Sequence, residues 1–184
     1  MLDAAEEILC EEGYGGLTSR NVADRIGVKQ RLVYYYFATM DELIVETFRR
    51  LAIRELERLA KASASGHPLR AVWNVYVDTN DTRLVSEFMA LANRIEALRI
   101  EVKDFIEESR KLQIAALERA RTADNAEGAM PAIAAAFFAT SAALAMHREA
   151  AIGIEAGHEE TRAVIERFIA AVDPGSWPGP GRQE

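Results

Sequence analysis

Lys29, Gln30, Arg31, Tyr34 and Tyr35 stand close together in a sequence of 184 residues. Two cations, an amide and two phenols are the groups that meet DNA. Charges and hydroxyls hold phosphates, while Arg and amide side chains read base edges. On a helix, residues three and four apart share a face, so Val33 and Phe37 would form an apolar side and the five polar residues would point away from it. From Leu17 to Met40 the bases are Arg20, Arg25, Lys29 and Arg31, and the only acid is Asp24. A solvated helical hairpin would carry the same groups, so composition alone does not establish DNA binding.

Other chemistries are poorly served. His67, His147 and His158 are far apart and fit no metal spacing. His67 and His158 fall in breaks between helices and are expected to be solvated, while His147 lies near the end of an alanine-rich helix. Cys10 is the single cysteine, so no internal disulfide is possible. It falls on an apolar helix face and is expected in the core. Arg94 interrupts an apolar stretch and reads as a snorkelling side chain. Glu107-Glu108 and Glu159-Glu160 are adjacent pairs, and adjacent helical positions do not face each other. No nucleophile motif or glycine-rich phosphate loop is present. No catalytic residue, metal or cofactor is therefore expected, and an enzyme is the weakest of the available readings.

The elements that would position the polar cluster are legible. Thr18 is a good N-cap, since its hydroxyl can accept from an N–H two or three residues on. Val22 and Ile26, four apart, point to one side of that helix, and small Ala23 lets a second helix cross closely. Gly27 ends it, because glycine takes left-handed dihedrals without a Cβ penalty. A second short helix then runs from about Lys29 to Phe37. Two short helices joined by a glycine turn are a helix-turn-helix. Before them, Leu2, Ala5, Ile8 and Leu9 give a helix from Leu2 to Glu12, stopped by Gly13. After them a long stripe through Leu43, Ile44, Phe48, Leu51, Leu56 and Leu59 runs from Met40 to about Ala64.

The rest reads as helices with short breaks. Stripes run from Leu69 to Val77, ending near Asn80-Asp81, then from Leu84 to Ile95, then from Leu98 to about Arg121. Thr122 to Gly128 is a loop, and a helix follows from Pro131 to about Ile152. Gly153 to His158 is a break before a last helix carrying Val164, Ile165, Phe168, Ile169 and Val172. The Pro/Gly tail from Pro174 is irregular. No β pattern occurs, so the fold class is all-α. Hydrophobic residues make up 49% of the chain, enough for a sizeable core, and the net charge of −7 argues against non-specific coating of nucleic acid. A local reading head is still possible, because screening confines its field to about 10 Å. The longest uncharged run, Gly128 to His147, is alanine-rich and contains Pro131, so it reads as a buried or interface helix and not a membrane span. No signal sequence is apparent, and a cytoplasmic location is expected.

Glu12-Gly13-Tyr14, Thr18, Val22-Ala23, Gly27-Val28, Tyr34-Tyr35-Tyr36-Phe37 and Asp41-Glu42-Leu43 occur in this order over Leu2 to Ile44. This pattern resembles the DNA-binding domain of TetR-family transcriptional regulators. The resemblance implies that Arg20, Gln30 and Arg31 reach base edges, that Thr18, Tyr34 and Tyr36 touch phosphates, and that Lys29 and Tyr35 belong to the same surface. Two departures stand out: Lys29 and Arg31 replace a small pair, and Met40 replaces a phosphate-touching Lys.

The resemblance further implies a cavity for a small, unknown ligand. Trp73, Tyr76, Phe88, Met89, Phe105, Phe137 and His147 are the candidates to line it. Dimerisation is expected through the last two long helices, where small Ala142 and Ala145 with Phe138 on one, and Val164, Phe168 and Val172 on the other, would build a four-helix bundle about a two-fold axis. The expected organisation is a helix-turn-helix head over 1–48, a helical ligand-binding and dimerisation domain over 49–173 and a tail over 174–184. The expected function is a homodimeric repressor of a palindromic double-stranded operator, released by the ligand. The alternative is an all-α binding or scaffold protein whose head no longer reads DNA.

Overall fold

The computed structural model describes residues 1–78, 82–121 and 130–173. The turn expected near Asn80-Asp81, the loop from Thr122 to Gly128 and the tail from Pro174, including Trp177, lie outside them. Among the described residues the chain is all-helical, without strands. It comprises α1 (Leu2–Glu12), a 3₁₀ turn at Tyr14–Gly16, α2 (Ser19–Arg25), α3 (Gln30–Tyr36), α4 (Met40–Ser63), α5 (Pro68–Val77), α6 (Thr82–Ala92), α7 (Glu96–Ala120), α8 (Ala132–Ala150) and α9 (His158–Val172). None of these helices is long and apolar enough to cross a membrane.

The helices form two compact units, Met1–Glu55 with Asn80–Ile106, and Leu56–Thr79 with Glu107–Glu184. α4 and α7 contribute residues to both, and the head expected over 1–48 lies inside the first.

The first unit packs around one apolar core. α1 contributes Ile8 and Leu9, α2 Val22 and Ala23, α3 Val33, α4 Leu43, Ile44, Phe48 and Leu51, and α6 Leu84, Phe88 and Leu91. Phe48 meets Phe88 and Phe105 edge-on, with ring centroids 5.1 and 5.8 Å away, the arrangement favoured by opposed ring quadrupoles. Cys10 is partly buried against this core. The start of α4 is capped on both sides: Thr39 Oγ1 accepts from the Glu42 N–H at 3.1 Å, and the Glu42 carboxylate accepts from the Ala38 N–H at 2.7 Å. Arg50 bridges α4 to Asp3 and Glu6 of α1.

The second unit is held by two smaller clusters. One joins Leu59, Ala62, Val72 and Ala116; the other joins Trp73, Ala143, Met146 and Ile169. Buried Asp173, just past α9, accepts from the Leu69 N–H at 3.3 Å and sits 3.4 Å from His67 Nδ1, tying the end of α9 to the start of α5. His158 is not a solvated loop residue as expected from sequence. It opens α9, its side chain is largely buried, and Nε2 lies 2.9 Å from Glu149 Oε2. A polar partner across the break from α8 draws the ring inward.

Candidate functional site

α2 and α3 are set by local chemistry. Thr18 Oγ1 accepts from the Asn21 N–H at 3.1 Å, filling the N-cap. The Asn21 side-chain amide donates to the Gly16 carbonyl at 2.8 Å, fixing the entering loop. At the other end Gly27 takes φ +69°, and two bonds close the helix: Val28 N–H to Ala23 O at 2.9 Å and Gly27 N–H to Asp24 O at 3.3 Å. This is a Schellman cap, which only a residue tolerant of left-handed dihedrals completes cheaply. The cap also turns Ile26 away from the core. The residue is 36% exposed, whereas the spacing from Val22 had predicted an inward position.

α3 presents one face inward through buried Val33, and its remaining faces are open. Lys29 is its N-cap residue, and Lys29, Gln30 and Arg31 are exposed. Tyr34, Tyr35 and Tyr36 are 51%, 79% and 61% exposed, with Tyr35 and Tyr36 in edge contact. The α3 residues expected to meet DNA are therefore all exposed.

A relay missed by sequence reasoning orients two of them. Gln30 Nε2 donates to Ser19 Oγ at 2.8 Å, and Ser19 Oγ–H donates to Tyr34 Oη at 3.0 Å. Ser19 is buried beneath this face. Because the Tyr34 oxygen accepts, its own O–H remains to donate outward, as a phosphate contact requires. Gln30 keeps one amide N–H and its carbonyl for a base edge. The relay depends on α2 crossing α3, and no local pattern announces it.

Charge on this surface is sorted by pairing. Arg25 is turned back onto α1, where it meets Glu7, Glu11 and Glu12 at 3.3, 3.0 and 3.2 Å. The Glu11 hydrogen bond, chiefly, holds its guanidinium above the ordinary pKa. Arg25 thus braces the head. Arg20 is exposed beside Asp24 at 3.6 Å, an i,i+4 contact of little energetic weight that leaves the side chain able to reach away. Among the described residues no ion pair ties Lys29 or Arg31. Met40 packs against the core in place of a phosphate contact. Glu87 of α6 accepts from the Tyr14 N–H at 3.3 Å, beside Gly13 at φ +70°, so α6 also braces this head.

The second unit holds a half-open cavity of about 270 Å3. α5 supplies Leu69, Val72, Trp73 and Tyr76 to its wall, α7 Gln113 and Leu117, α8 Ala135, Ala136, Phe138, Ala139 and Thr140, and α9 Val164, Ile165, Phe168 and Ile169. Of the residues expected to line a pocket, Trp73 and Tyr76 do so. Phe88, Met89 and Phe105 belong to the core of the first unit. Phe137 is exposed beneath the Arg110 guanidinium, 5.3 Å from its ring centroid. His147 Nε2 lies 2.9 Å from the Tyr76 carbonyl, an acceptor only, so this nitrogen carries the proton. Of the residues expected at a dimer surface, Phe138 and Val164 are 60% and 56% exposed, Ala142, Ala145 and Phe168 are partly buried, and Val172 is buried within its own chain. Phe138, Val164 and Phe168 also line the cavity.

Residues 1–47 match the profile of bacterial regulatory proteins of the tetR family. No curated protein matches the chain by sequence. Among solved structures, a transcriptional regulator from Rhodococcus sp. Rha1 is 21% identical, superposes with a TM-score of 0.71, and the match covers 92% of this chain and 94% of that one. SmeT, the repressor of the Stenotrophomonas maltophilia multidrug efflux pump SmeDEF, is 20% identical with a TM-score of 0.70, covering 97% of this chain and 92% of that one. SmeT is also known in complex with triclosan. A candidate transcriptional regulator from Saccharomonospora viridis, in complex with choline, is 13% identical with a TM-score of 0.77, covering 91% and 92%. The fold is thus shared with solved transcriptional regulators along nearly the whole chain, and its N-terminal quarter, the capped α2–α3 hairpin and its braces, carries the sequence signature of the tetR family of bacterial regulatory proteins.

Proposed function

We propose that this chain is a homodimeric, one-component transcriptional repressor that binds a palindromic DNA operator in the cytoplasm and leaves it when a small molecule occupies the second-unit cavity. The observation that carries the reading is the exposed face of α3, where Gln30 and Tyr34 are held by Ser19 beside exposed Lys29 and Arg31. The head is assigned to 1–48, ligand binding and dimerisation to 49–173, and no catalytic role to any residue.

Base reading is assigned to Arg20, Gln30 and Arg31, and phosphate contact to Thr18, Lys29, Tyr34 and Tyr36, with Tyr35 on the same surface. An Arg bidentate to guanine supplies about 1–3 kcal/mol of discrimination. Arg31→Ala should therefore flatten preference at one or two positions of each half-site in a random-duplex selection. Tyr34→Phe removes a hydroxyl and no base contact, so it should weaken every duplex alike. An Arg31→Ala protein with unchanged affinity and unchanged selected sequence would refute the assignment.

Ligand release requires that the molecule bind the DNA-free conformation better, and coupling is reciprocal. Structural neighbours in complex with triclosan and with choline support a ligand-binding role. Trp73 lines the cavity, and in a Trp177→Phe variant it is the sole tryptophan reporter. A compound that releases operator should change Trp73 emission in that variant. Saturating operator should raise its midpoint about 5- to 150-fold. A midpoint indifferent to operator would remove the allosteric reading.

A further inference from the structure

We infer that the cavity selects a neutral, mostly apolar molecule carrying one hydrogen-bonding group, and that the Gln113 amide orients that group. The inference rests on reading the cavity as the ligand site. Among the described lining residues only Trp73, Tyr76, Gln113 and Thr140 carry side-chain nitrogen or oxygen, and none is charged. An ion entering such a wall would lose its hydration without a counter-charge, a cost that apolar contact does not offset. The volume of about 270 Å3 suits a molecule the size of two fused or linked rings, at the small end of ligand sites.

Gln113 is the polar centre of this wall. It is buried, its Nε2 meets the Tyr76 hydroxyl, and its Oε1 lies 2.9 Å from Thr140 Oγ1. Thr140 Oγ1 also lies 2.9 Å from the Ala136 carbonyl, yet it has a single proton to give. If that proton goes to Gln113, the amide donates to Tyr76. If it goes to Ala136, the amide turns over, donates to Thr140 and accepts from Tyr76. Either arrangement uses one N–H and one lone pair, leaving one of each for a ligand. A phenol or alcohol can use both, whereas a hydrocarbon leaves them unmet.

The test is calorimetric titration of the full chain, without DNA, with four probes of matched shape: 4-phenylphenol, biphenyl, biphenyl-4-carboxylate and 4-biphenylyl-trimethylammonium. 4-Phenylphenol should bind about tenfold or more tightly than either ion, and more tightly than biphenyl. Gln113→Leu should erase the preference for the phenol over biphenyl while biphenyl still binds. Thr140→Val, a smaller change for use if Gln113→Leu does not fold, should lower phenol affinity about threefold by freeing the amide. An ion that binds as well as the phenol, a wild-type protein that binds no probe, or a phenol preference untouched in the folded variants overturns the inference. Duplex binding measured on the same samples keeps the two readings apart. Protein that takes 4-phenylphenol as expected but no duplex retains this assignment and loses the repressor.

Discussion

Phe138→Arg is expected to yield a folded monomer with operator affinity reduced about 10²- to 10⁴-fold, the advantage gained by linking two binding modules. Phe138 is 60% exposed on α8, and exposed Val164 stands on α9, so an apolar surface is available to a second copy. A two-fold axis would place two introduced arginines near each other, and like charges without partners oppose association. Both Phe138 and Phe168 line the cavity, but Phe168 is partly buried, so a charge there would disturb the single chain more than one at Phe138. Sedimentation velocity and duplex binding read the two effects separately, with circular dichroism reporting the fold. A folded Phe138→Arg protein that stays dimeric would move the interface away from α8.

Phe48→Ala should destabilise the first unit by about 3–5 kcal/mol, a large part of the roughly 5–15 kcal/mol that a domain possesses. The ring is 1% exposed and fills the space between Phe88 of α6 and Phe105 of α7, so its removal leaves a cavity lined by rings unable to collapse onto one another. The same core backs Val22 and Val33 of the α2–α3 hairpin. DNA binding should therefore fail at temperatures where the wild type still binds. Urea unfolding followed by circular dichroism gives the loss from the midpoint shift, and a change under about 1 kcal/mol would contradict this packing.

The head was readable from sequence because its determinants are local. The Thr18 cap, the Gly27 turn and inward Val33 each depend on residues a few positions apart, and all three occupy the expected places. The cavity was less readable, for a physical reason. Phe88 and Phe105 carry the same helical periodicity as Trp73 and Tyr76, and periodicity says that a residue turns inward without saying into which core. Phe48 draws Phe88 and Phe105 into the first unit, while Trp73 packs on Met146 and Ile169 in the second. Ser19 was invisible for a related reason, since its partners Gln30 and Tyr34 lie 11 and 15 positions away and meet it only after two helices cross. Gln113 did leave a trace: it is an uncharged amide set among Leu112, Ile114, Ala115, Ala116 and Leu117.

Selection of random DNA duplexes on the purified chain, followed by sequencing and salt titration of the winner, tests DNA reading most directly. A dimer presenting two α3 helices should enrich a two-fold-symmetric sequence with half-site centres about 34–36 Å apart or at multiples of one helical turn. Its affinity should fall steeply and linearly on a logarithmic scale of salt, as phosphate-bound cations are released. Recovery of no preferred sequence, or binding that ignores salt, would contradict the assignment of α3 as a DNA-reading helix.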